Sequence, residues 1–158
     1  MKSRKNKCGF SLLELLIVVA IILIISAIAI PNLLRSKMAA NEASAVGSVR
    51  AVNAACLNYS STWGTGFPVS LSNLGPGKPA TAAAADQVDS TVSGGTKGGY
   101  TLTYVSGAPT NGKISTYTIS ASPVAPGKTG GRYFFADQSG VIRYNSGGAA
   151  TVLSPPLS

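Results

Sequence analysis

The sequence predicts an α+β fold: one long N-terminal helix, apolar in its first half and amphipathic in its second, packed on a four-stranded antiparallel sheet. Three patterns carry the prediction. Residues 10–30 are apolar except for Ser11, Glu14 and Ser26. From Ala39 to Tyr59 apolar residues return every three or four positions, and past Tyr100 they alternate with Thr and Ser.

As a helix, residues 10–30 cover about 32 Å, the thickness of one bilayer core. Residues 1–9 form a basic leader with Lys2, Arg4, Lys5 and Lys7, whereas only Arg35 and Lys37 follow closely behind the run. This bias holds the N-terminus on the cytoplasmic side and sends the bulk of the chain outward. Glu14 is the anomaly. A carboxylate inside an apolar span costs on the order of 2–3 kcal/mol at the centre and less near an interface, so it calls for a functional partner. A cleaved secretory signal fits the basic start, and Ala27-Ile28-Ala29 supplies a small-residue site. Against it stand Glu14 and the length of the run, since such signals carry about 7–15 apolar residues. A plain signal anchor fits the length and leaves Glu14 unexplained.

The order Gly9-Phe10-Ser11-Leu12-Leu13-Glu14, then the apolar run, then Pro31 resembles the prepilin class of type IV pilins and the pseudopilins of type II secretion. The resemblance implies a pilin fold and cleavage between Gly9 and Phe10 by a prepilin peptidase, which also methylates the new N-terminus of Phe10. It implies that Glu14 meets the ammonium of Phe10 on a neighbouring subunit. Two charges that are costly to bury alone then neutralise each other, and a subunit docked out of register leaves both unpaired. The partners implied are other copies of the chain in a helical homo-oligomeric filament, an inner-membrane assembly platform with its ATPase, and membrane lipid before assembly. No cofactor is implied. Many members carry a glycine where this chain has Leu23. Pro31 stands where the family proline does, and because it cannot donate to the carbonyl of Ala27, any loosening centres there.

Residues 32–60 are expected to continue the helix, straight or gently kinked at the proline, the alternative being two separate helices with Pro31 as the break. Ala39, Ala43, Val46, Val49, Val52, Cys56 and Tyr59 fall on one face; Asn41, Ser44, Ser48, Arg50 and Asn53 lie elsewhere. Residues 61–99 connect helix to sheet. Glycine and proline punctuate them, Trp63, Phe67, Leu71 and Leu74 anchor them, and the run FPVSLSNLG is similar to the helix-to-sheet connection of the family. Residues 80–98 are rich in Ala, Ser, Thr and Gly, which predicts an exposed loop with a helical turn over 82–88. Residues 100–158 hold the sheet and a tail, with strands at 100–104, 117–121, 132–136 and 141–145. The last two meet across Asp137-Gln138-Ser139-Gly140. The run YFFADQSGVIRYN also resembles the final hairpin of pilins and major pseudopilins.

Composition narrows the function. The leader holds four of the 13 basic residues and none of the five acidic ones, so its loss takes the formal charge from +8 to +4 before termini are counted. The basicity is chiefly an orientation signal, and nucleic acid as a partner is unsupported. Histidine is absent from the chain, which excludes histidine-based acid–base and metal chemistry, and no carboxylate pair suited to hydrolysis is evident. The expectation is therefore no enzyme and no metal, with Asp86 and Asp89 as weak candidates for calcium. Loss of Cys8 with the leader leaves Cys56 without a disulfide partner, as a small core residue. The reading favours a type IV pilus subunit over a major pseudopilin of type II secretion. The rival of another class is a membrane-anchored module binding DNA, a surface or a secreted substrate. The precursor is expected in the bacterial inner membrane, and the assembled filament outside the cell or across the periplasm.

Overall fold

The computed structural model describes residues 10–157, and the chain divides into two compact units that part between Ser36 and Lys37. The first helix, α1, runs over Leu12–Trp63 with Pro31 inside it. The proline has no N–H to donate to the Ala27 carbonyl, yet the helix continues through it. One turn from the break, the Asn32 side chain donates to the Ile28 carbonyl at 3.1 Å. The helix ends at Trp63, three residues beyond the expected Ser60, where the Tyr59 and Trp63 rings stack with centroids 5.0 Å apart.

In the second unit, α1 packs on an antiparallel sheet whose strands follow one another in chain order. They are β1 (Thr96–Lys97), β2 (Tyr100–Ser106), β3 (Tyr117–Pro123), β4 (Tyr133–Asp137) and β5 (Arg143–Asn145). The sequence predicted four strands; β1 is the fifth. Gly98 and Gly99 adopt φ of 58° and 74°, which closes a two-residue turn and lays Thr96 against Thr101. The expected helical turn over 82–88 is displaced to α2, Ser90–Ser93, because Asp89 caps it by accepting from the Val92 N–H at 2.9 Å. Nor is the connecting segment all exposed. Ala85 and Val92 are buried, and Leu71 and Leu74 are buried in a 3₁₀ turn over Leu71–Leu74.

Alternation places Tyr100, Leu102, Tyr117, Ile119, Ala121, Phe134 and Ala136 on the face toward α1. They meet Ala45, Val49, Val52, Cys56 and Tyr59 in one core. Cys56 is a free thiol with no exposed surface, and burial pushes its pKa up to about 12. The stripe differs from expectation at both kinds of position. Ala39 and Ala43 are exposed, since they border an open groove beside Val46 and Leu157, while Ser48 and Asn53 are buried. Ser48 can be buried because its hydroxyl donates to the Ser44 carbonyl, and Asn53 because its Oδ1 accepts from the Tyr117 hydroxyl at 3.1 Å. The chain end covers the free edge of the sheet: Tyr144 N–H donates to the Pro155 carbonyl, and Leu157 N–H to that of Ile142.

Candidate processing and assembly segment

Ser11 precedes the first helical residue and Glu14 occupies the third helical position, so the Glu14 carboxylate reaches back and accepts the Ser11 N–H at 2.9 Å. An acid there also faces the positive end of the helix. The carboxylate that looked unpartnered in the sequence thus has a contact within its own chain. That contact satisfies one backbone donor and brings no counter-charge. Phe10 is 76% exposed, and apart from Ser26 every residue from there to Lys37 is exposed. By length and composition α1 is able to cross a membrane, and none of its most apolar window is buried. Gly9, the expected cleavage position, lies outside the described residues, as do the leader cations and Cys8.

A second carboxylate, which the sequence reading missed, ties α1 to the sheet. Glu42 accepts the backbone N–H groups of Gly131 at 2.8 Å and Arg132 at 3.2 Å, and pairs with Arg132 Nε at 2.7 Å. The Arg132 guanidinium lies over the rings of Phe134 and Tyr144. Burial by itself raises the pKa of Glu42, but the hydrogen bond from Gly131 and the Arg132 guanidinium outweigh it and hold the carboxyl below its ordinary value. The available signal was its spacing, since Glu42 stands three and four residues ahead of Ala45 and Val46 on the core-facing side.

The calcium candidates are placed as follows. Asp89 has both oxygens engaged: Oδ1 by Val92 N–H and the Thr91 hydroxyl, Oδ2 by Lys97 Nζ at 2.7 Å. The Lys97 contact chiefly holds its carboxyl well below the usual range. Asp86 is exposed, with a φ of 55°. Among the described residues no three acidic or thiol side chains gather as a metal would need.

Residues 4–30 match a family described as the prokaryotic N-terminal methylation motif. This is a class III signal sequence of the kind typical of type IV pilins and pseudopilins, which are structural proteins and not enzymes. No curated protein and no solved structure matches the chain. One long N-terminal helix followed by an antiparallel sheet makes the fold pilin-like. Motif and fold together support a type IV pilin-like or pseudopilin-like protein. The motif implies a membrane-anchored precursor, processing by a prepilin peptidase and assembly into pilus-like filaments.

Proposed function

We propose that the chain is a structural subunit of a type IV pilus, drawn from the inner membrane into a helical filament through the N-terminal part of α1. The observation that carries this reading is the methylation motif at the head of a helix whose apolar segment has no buried residue and holds one carboxylate in its first turn. Cleavage between Gly9 and Phe10 frees an amine, which is methylated. Glu14 of the incoming subunit then trades its Ser11 contact for the Phe10 ammonium of a neighbour, exchanging a neutral donor for a charged one. Lipid and filament core are both apolar, so the transfer gains little hydrophobic free energy and selection falls to this polar contact. Residues 10–31 serve as membrane and assembly segment; residues 32–60 carry the head formed by the rest.

The test is Glu14→Gln in the full chain. The expected product is cleaved and membrane-inserted, yet gives no filaments by electron microscopy; filaments of ordinary yield would refute the role of Glu14. Gly9→Val should retain the leader by mass spectrometry. Deletion should abolish twitching and adhesion with exoprotein export intact, whereas blocked export would favour a secretion pseudopilin.

A further inference from the structure

We propose that successive copies of this chain dock head to tail through their sheets, the loop between β3 and β4 of one copy entering a groove at the opposite end of the sheet of the next. The inference rests on the filament reading above. Sheet register sets the two features apart. The β2–β3 ladder runs from Tyr100 against Pro123 at one end to Ser106 against Tyr117 at the other. The β3–β4 loop leaves from the first end, and Asp137, opposite Thr118, lies at the second.

The groove at the second end has a volume of about 500 Å³, with apolar walls from Val105, Phe135 and Val152. That size suits a small protruding segment. Val105 and Val152 are 57% and 53% exposed, so the groove is open for occupation. Its only charged lining residue is Asp137, whose Oδ1 accepts the Ser139 N–H and which has no ion pair among the described residues.

The loop presents the complementary set: exposed Val124 and Pro126 beside exposed Lys128, a cation without an ion pair among the described residues. It is already shaped. The Ala125 carbonyl accepts the N–H groups of Lys128 and Thr129, Gly127 N–H donates to the Gly130 carbonyl with a φ of 75°, and Asn41 anchors the Thr129 carbonyl at 2.8 Å. A tip ordered in advance loses little freedom on docking. Lys113 belongs to the β2–β3 connection at the groove's own end, and Arg50 to the helix, so neither reaches a groove by an end-to-end approach. A two-fold pairing of grooves would set one Asp137 against another. Loop into groove is heterologous instead, leaving one groove and one loop free at the ends of any row, and so it propagates.

The experiment uses filaments of the chain carrying Pro126→Cys and Val152→Cys together, which keeps Lys128 and Asp137, oxidised with copper phenanthroline and run on a denaturing gel. Cys56 is fully buried and does not compete. The expected result is a ladder of dimers, trimers and longer species, absent from either single variant. Intact filaments that give monomer, or dimer alone, overturn the inference and leave the filament reading standing. A wild-type chain without filaments removes both. As a second measurement, Lys128→Glu and Asp137→Lys should each lower filament yield several-fold with the head's unfolding unchanged, and together restore it. Unaffected single variants, or an unrestored pair, overturn the inference.

Discussion

Two stretches at either end of the long helix meet opposite fates. From Phe10 to Lys37 no side chain is buried, while from Glu42 to Tyr59 ten are. The spread of apolar residues around the helix separates them. The first stretch is apolar on every side and no single partner surface can cover it, so it needs lipid or several other helices around it. The second is a one-sided stripe built largely of Ala and Val, and one sheet covers it. Each stretch also holds one carboxylate with a different kind of partner. Glu42 finds Arg132 within the chain, whereas among the described residues Glu14 finds a neutral backbone donor.

The largest effect expected within the second stretch's packing comes from Phe134, which is fully buried and whose ring lies 5.9 Å from that of Tyr100. Phe134→Ala should cost about 3–5 kcal/mol of head stability, through lost burial and the cavity left behind. Trp63 fluorescence during urea unfolding of the full chain in micelles is the measurement. Glu14→Gln should leave that transition unmoved while it abolishes filaments. If either substitution produced the other's effect, the division between the stretches would fail.

Next in size is Glu42. Glu42→Ala strands two backbone donors and a guanidinium, and should cost about 2–3 kcal/mol; the partial exposure of Arg132 keeps this below a fully buried pair. The pH dependence follows from a folded value held below the ordinary carboxylate value of 4.5. The stabilising share is fully present above pH 4.5 and is lost as pH falls through the folded value, because only the unfolded state takes up the proton before that point. Glu42→Gln should flatten this acid slope in urea titrations repeated at each pH. An unchanged slope would show that other carboxylates govern it.

Much of this was legible in the sequence. The apolar run, the stripe around Val49, Val52 and Cys56, and the alternation through Tyr100, Tyr117 and Phe134 are local repeats that need only a window of neighbours to be read. What escaped depends on distant partners. Glu42 is 90 residues from Arg132, so nothing near it announces an ion pair. Asn53 is buried only because the Tyr117 hydroxyl arrives 64 residues later. β1 is too short to show alternation, and its evidence is the conformation of Gly98 and Gly99. Within the candidate segment, Glu14 stood out by its cost in an apolar span. Its Ser11 contact follows from helix-capping geometry and was overshadowed by that cost.

The smallest effect tests the edge of the stripe, where periodicity extended too far. Ala43 and Ala45 are two residues apart with the same side chain, yet Ala43 is exposed and Ala45 is 1% exposed in the core. Ala45→Leu has no room to enter and should cost about 1–3 kcal/mol through overpacking. Ala43→Leu borders open space beside Val46 and Leu157, and should change head stability by no more than about 0.5 kcal/mol. Urea midpoints of the two variants, measured side by side, decide the matter. Equal losses would mean that the space beside Ala43 is closed, and that the covered stripe on α1 is wide enough to take in Ala43 as well as Ala45.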